Sequence, residues 1–335
     1  MRLPSGLTAD ICEEFLKGHR FSLIGCNSFE ERCRCVPAMF VGSGQCTRTL
    51  LFEIADPPDA FPDFSTEIRA KTDESSRRLT ELGVKFRIIR GPLLAMEDDL
   101  LGYMDYLYPQ RGEGILVIDI TSLPKRYFCF VIKRLIRDAR VRGVVATYTS
   151  PADGIYGEGH VAQDPVSCDH LPGFTGPLHE KSDNLVVSLG FELLGLRSLV
   201  EMYHYSSRRM RLLLPMPTGV APISRQWSAV KEFCDNTHRK LDRNNLEIVA
   251  TWDVEQAFRT MHRWNGHSDG LSLAPFGPKP HSLAMMLFAL KYGSGMYYSQ
   301  PKSYSLNYSF GTGVSWAYVL KWDGIACYDR TVLRS

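Results

Sequence analysis

The sequence predicts an α/β protein made of two pseudo-symmetric Rossmann-like lobes with mainly parallel sheets, closed by a C-terminal β-hairpin. Three observations lead there. Short apolar runs rich in Val, Ile and Leu alternate with helical segments, the pattern of parallel strands covered on both faces. Those runs recur in the same order in each half of the 335-residue chain. The most apolar units, residues 115–151 and 271–301, also share one plan: strand, Pro-Lys, helix, strand, then Tyr-hydroxyl-x-Pro.

Each copy begins with an apolar strand that runs into Phe-Glu and an arginine. In "RFSLIGCNSFEERCRC" these are Phe29, Glu30 and Arg32; in "NLVVSLGFELLGLRSLVEMY" they are Phe191, Glu192 and Arg197. "RTLLFEIADPP" and "RMRLLLPMPTG" follow, each a β-like run that starts after an arginine and stops at proline. A polar amphipathic helix and a strand come next in both halves, over residues 65–91 and 224–253. Short helices, "MEDDLLGYMDYLYP" and "VEQAFRTMHRW", lead into the Pro-Lys units. Residues 1–151 form the first lobe and 184–335 the second, with a terminal hairpin turned at Asp323-Gly324. Residues 152–183, rich in Gly, Pro, Asp and His, make a linker or a loop over the lobe interface.

The formal charge of +2 leaves no global field that favours nucleic acid or an acidic membrane. No apolar run reaches the roughly 20 residues of a membrane span, and the first residues show no signal-peptide pattern, so the expected location is cytoplasmic. Nine cysteines at irregular spacing suit a reducing compartment. Cys26, Cys33, Cys35 and Cys46 lack paired Cys-x-x-Cys knuckles, and no metal is expected. Cys168, His170 and His179, with His160 upstream, read as loop residues.

In open parallel α/β sheets, ligands bind beyond the carboxyl ends of the strands. In copy one that edge receives Asp119, Ser122 and Lys125, with Tyr148 after the returning strand; in copy two it receives Lys279, His281 and Tyr298. Lys125 and Lys279 lie at helix starts, where a cation opposes the helix dipole by about 0.3–1 kcal/mol and a bound anion offsets that cost. Glu192 and Arg197 follow the first strand of copy two, where an acidic group hydrogen-bonds a ribose in dinucleotide sites. Tyr148, Tyr298, Tyr304 and Tyr308 would stack on bases at the mouth of a cleft between the lobes.

No nucleophile elbow, Walker A loop, G-x-G-x-x-G, H-E-x-x-H or kinase signature is present, and no cofactor is expected. A sensor therefore stands ahead of an enzyme. The competing enzyme would be a nucleotide or nucleoside hydrolase with Asp119 or Glu192 as acid/base. The helix after Lys125 reads as a surface helix, with Phe128, Ile132, Leu135 and Ala139 inward and Arg126, Lys133, Arg137 and Arg140 elsewhere. That basic face makes nucleic acid a possible but not a favoured partner. "SLAMMLFAL", apolar all round, must be covered on both sides. If a partner protein covers it, the isolated chain exposes an apolar surface near Met285 and Phe288.

"LAPFGPKPHSLAMMLFAL" followed by "GMYYSQPKSY" resembles the proline-containing turn, apolar helix and Tyr-bearing strand near the end of SAVED domains. Tandem Rossmann-like lobes likewise resemble the CARF and SAVED families, sensors of cyclic oligonucleotides in prokaryotic antiviral defence. That resemblance implies a nucleotide-binding sensor or accessory subunit that signals to a protein partner, with Ser122, Lys125, Lys279, His281 and Tyr298 at the ligand. Members of these families usually carry an effector domain, and none is expected within these 335 residues.

Overall fold

The computed structural model describes residues 3–55, 62–109, 114–152, 162–165, 168–176, 184–190, 195–202, 210–216, 227–228, 230–232, 234–235, 243–266, 270–304, 306 and 309–329. The chain divides into two compact units, one of residues 1–152, 156–158 and 305–335, the other of 153–155 and 159–304. The first unit contains β1 (Ser5–Leu7), α1 (Thr8–Ile11), β2 (Phe21–Asn27), α2 (Cys35–Met39), β3 (Cys46–Ala55), α3 (Pro62–Glu81), β4 (Arg87–Pro92), α4 (Glu97–Leu107), β5 (Ile115–Asp119), α5 (Lys125–Arg137) and β6 (Gly143–Thr149). The second contains β7 (Ala162–Pro165), β8 (Asp169–His170), β9 (Asn184–Ser188), α6 (Leu196–Met202), β10 (Met210–Met216), β11 (Leu246–Ala250), α7 (Val254–Asn265), β12 (Leu271–Pro275), α8 (Lys279–Tyr292), β13 (Tyr297–Tyr298) and β14 (Pro301–Tyr304). The chain then supplies the first unit with β15 (Ser315–Trp322) and β16 (Ile325–Ala326).

Apolar runs become parallel strands in both units, giving a Rossmann-like α/β fold. In the first, β4-β3-β2-β5-β6 pair parallel in that order. β2, β5 and β6 are buried along their whole length, which is why they read as continuous Val/Ile/Leu stretches rather than alternating ones. In the second unit the parallel order is β11-β10-β9-β12. Within each sheet the chain reverses direction across the sheet beside the first of its parallel strands in chain order, β2 or β9, and ligand crevices open at such points in α/β sheets.

The terminal hairpin forms, with Asp323 (φ 49°) and Gly324 (φ 78°) as its two-residue turn. Its placement corrects the sequence reading. β15 lies antiparallel on β6, and β1 antiparallel on β15, so residues 305–335 belong with the first unit and not with 184–304. Turn chemistry is local, whereas the sheet edge that receives a hairpin is a long-range choice. The described part of 152–183 is likewise more than a linker, because β8 pairs β13 and β7 pairs β14.

α5 is corrected too. Beyond the expected stripe, Tyr127, Cys129, Phe130 and Val131 are buried as well, while Ala139 lies past the helix end and is exposed. A helix flanked by α4 as well as the sheet is covered on more than one face. α8 buries every residue from Pro280 to Leu290, as its all-round apolar sequence requires. Met285 and Phe288 are fully buried, so the exposed apolar surface that a partner-only subunit would show there is absent among the described residues. No described helix is long and apolar enough to cross a membrane.

A bulge between Val319 and Lys321 turns the Lys321 ammonium onto the carboxyl end of α5, where it donates to Asp138 O at 2.7 Å. The Asp138 carboxylate accepts from Arg140 through Nε (3.0 Å) and Nη2 (2.7 Å). These hydrogen bonds, against the opposing effect of burial, lower its pKa from 3.8 to about 2. A carboxyl lowered on folding stabilises above its unfolded pKa and ceases to do so as pH falls through the folded value. Asp138→Asn is therefore expected to unfold at lower urea than wild type at neutral pH, with the gap closing between about pH 4 and about pH 2. Urea midpoints across that range check it; a gap that does not change with pH assigns the loss to packing.

Candidate ligand site at the carboxyl ends of the strands

β5 ends at a carboxylate because the chain must turn there. Asp119 Oδ1 accepts from the backbone N–H of Thr121 (3.2 Å), from the Thr121 hydroxyl, and from Thr147 Oγ1 (3.4 Å). Thr121 Oγ1 in turn accepts from Thr149 N at 2.9 Å, stitching the end of β5 to the end of β6. Asp119, Thr121, Thr147 and Thr149 are all buried. A carboxylate held this way fixes the turn that delivers Ser122, Pro124 and Lys125.

α5 opens on Pro124 without a capping side chain, and its first turn carries no acidic residue. Lys125 stands there only 8% exposed. Its charge reaches Cys129 one turn on, whose thiol pKa is nevertheless raised strongly by burial. Ser122 Oγ is buried and has no hydrogen-bond partner among the described residues. A cation, an uncapped helix start and a hydroxyl thus converge beyond β5, beside the β2–β5 reversal.

The β2 side of the same edge is built on Arg32, which donates through Nη1 to Thr149 O (2.9 Å) and pairs through Nη2 with Glu30. Ser309 Oγ also donates to Glu30, at 2.8 Å. Tyr148, expected to stack on a base, is buried in β6 and hydrogen-bonds Arg32, so it forms part of the wall. Residues 309–315 close this side. Gly313 packs where a Cβ would lie 2.5 Å from Pro151 O, and Gly311 holds φ 64°. Asp119 acts on the neighbouring thiols: burial pushes Cys33 up to about 11 and raises Cys35, with Asp119 adding to both. A thiol raised in this way carries less thiolate at neutral pH and is the weaker nucleophile for it.

In the second unit β12 ends at Pro275, and Gly277 passes so close to β9 that a Cβ would sit 2.1 Å from Ser188 Oγ. His281 is fully buried between three elements. Its Nε2 faces Ala250 O at 3.0 Å, and since a carbonyl only accepts, that nitrogen carries the proton; Nδ1 then accepts from Ser188 Oγ at 3.2 Å. Expected at a ligand, His281 instead ties the ends of β9 and β11 to the start of α8. Lys279 is the first residue of α8, half-buried, behind Pro278 as cap. Tyr298 is half-buried, its ring 5.9 Å from Phe276.

The structure thus gathers Asp119, Ser122 and Lys125 at the end of β5, and Lys279 and His281 at the end of β12. Glu192, Tyr308 and the side chains of Arg197 and Tyr304 lie outside the described residues, as do His160 and His179. Thr147, Ser309 and the Gly311–Gly313 loop escaped the sequence reading. Hydroxyls give no periodic signal, and the loop lies far from β2 in the chain.

No family model matches this chain, and no curated protein matches it. Among solved structures, a crystal structure of UDP-N-acetylglucosamine 2-epimerase is 10% identical, with a TM-score of 0.24 over 87% of this chain and 91% of that one.

Proposed function

We propose that the chain is a sensor or accessory subunit that binds an anionic, nucleotide-like ligand at the carboxyl ends of its parallel strands and passes the signal to a partner protein. The carrying observation is Lys125, a buried cation on the positive end of the α5 dipole, beside the buried hydroxyl of Ser122. A phosphate there gains the ammonium, the helix N–H groups and a hydroxyl donor, and removes the conflict between lysine and dipole. Lys279, at the start of α8, is the corresponding cation of the second unit. The matching order of four parallel strands, β4-β3-β2-β5 and β11-β10-β9-β12, supports the duplication read from the sequence. The CARF and SAVED resemblance of residues 271–304 makes cyclic oligonucleotides, and a role in antiphage defence, the first to test.

The test is thermal. A ligand at about 100 times its Kd adds about 2.7 kcal/mol, a few degrees of Tm for a protein of this size. Wild type is expected to shift with a cyclic or linear nucleotide and Lys125→Ala is expected not to. The nucleotide should be recovered intact; recovery of cleaved nucleotide assigns a hydrolase instead. No shift across the panel overturns the reading.

A further inference from the structure

The opposite edge of the first sheet carries a second feature that the ligand reading does not use. Toward this edge, residues 133–142 hold five Lys and Arg against one Asp, a surplus above the chain's formal +2. At the amino ends of the strands, arginines from separate elements meet the two tyrosines that end α4. Arg87, at the start of β4, lies over the Tyr106 ring at 5.0 Å. Arg48, near the start of β3, donates to the carbonyls of Tyr106 and Tyr108, both at 2.9 Å. Arg140 lies over the Tyr108 ring at 3.9 Å. Arg142, just before β6, completes the line. β4 to β6 is four strand spacings, about 19 Å at about 4.8 Å each.

We propose that this amino-terminal edge of the first sheet binds single-stranded nucleic acid, with the arginines on phosphates and the tyrosines and guanidinium planes stacking on bases. Alternating positive charge and aromatic faces is what a sequence-tolerant strand platform needs. Arginine, rather than lysine, supplies the charge, and its planar fork matches paired phosphate oxygens. Two of the four arginines have carboxylate partners. Arg140 pairs with Asp138 and stays fixed over Tyr108, while the Arg142–Asp323 pair is exposed on both sides at 71% and 66% and is easily exchanged for a phosphate. Among the described residues no carboxylate pairs with Arg87, and its outward position on the edge strand leaves it accessible. Tyr106 is 47% exposed. Single strands are favoured over duplex because accessible ring faces serve only unpaired bases. An acidic protein is the rival, and it would gain nothing from those rings.

The experiment is fluorescence anisotropy of a labelled oligothymidylate of about 15 nucleotides with the full chain, across a salt series from about 50 mM upward. Binding is expected at low salt and to weaken linearly on logarithmic axes. Arg87→Gln with Arg142→Gln should reduce that slope by about 1.4, at about 0.7 per lost phosphate contact. Tyr106→Ala should weaken binding at least about fivefold at every salt concentration. Circular dichroism confirms folding, and the arginine pair alone decides the matter if the tyrosine variant fails to fold. Absence of binding at low salt, variants indistinguishable from wild type, or tighter binding of the matching duplex overturns the proposal. Equal competition by polyglutamate overturns it in favour of an acidic protein.

Discussion

Arg32→Ala is expected to destabilise the first unit by about 3–5 kcal/mol, the usual cost of breaking a buried ion pair by removing one partner. Arg32 is 3% exposed and Glu30 9%. The guanidinium joins Glu30 to Thr149 O, and so ties the turn after β2 to the end of β6. Alanine leaves a carboxylate desolvated without its charge partner and a carbonyl without its donor. Urea unfolding, read as the transition of the first unit, measures the loss. Arg32→Met combined with Glu30→Gln should recover most of it, since replacing both ions removes the uncompensated charge. A loss below about 1 kcal/mol would show that water reaches the pair, because exposed pairs contribute no more than that. The same variant bears on the proposed ligand site, whose β2 side Arg32 organises.

Phe288→Ala is expected to cost about 3–5 kcal/mol in the isolated chain, the range for large-to-small changes in a packed core. Phe288 is fully buried, its ring 5.7 Å from Phe258 in an edge-on contact and 4.5 Å from Tyr292. Ile248→Ala, at a residue 55% exposed on β11, is the control and should move stability by no more than about 0.5 kcal/mol. The comparison separates two explanations of an apolar helix. A core residue destabilises the chain by itself when truncated, whereas an interface residue leaves the chain stable and weakens only the complex.

The two Pro-Lys units show how far local chemistry reaches. A proline at a helix start, a run of Val, Ile and Leu, and Asp-Gly between strand residues act over a few bonds, and all three produced the expected element: α5 and α8 begin at their lysines, β5 and β12 precede them, and the Asp323-Gly324 turn forms. The helix "SLAMMLFAL" announced its own burial because every face is apolar. Asp119, Ser122 and Lys125 could be named in advance for a similar reason, since strand, turn and helix follow one another without interruption and must present them at one end.

Distance along the chain marks where that legibility stopped. The pairing of β15 with β6 rather than with a strand of the second unit depends on which sheet edge is open, a property of the folded chain. Tyr148 had the same strand-end position as other candidates, yet Arg32, more than a hundred residues earlier, claims its hydroxyl and turns a stacking residue into a wall. His281 is two residues from Lys279 in sequence, but Ser188 and Ala250 occupy both its nitrogens and make it a strut. The arginine–tyrosine edge draws on β3, β4, α4 and the residues before β6; the basic run along α5 shows in the sequence, but the meeting of Arg48 and Arg87 with Tyr106 does not. Backbone propensity and periodicity are written residue by residue and survive in the bare chain; hydrogen-bond partners, desolvation and charge clusters exist only once distant segments share a surface.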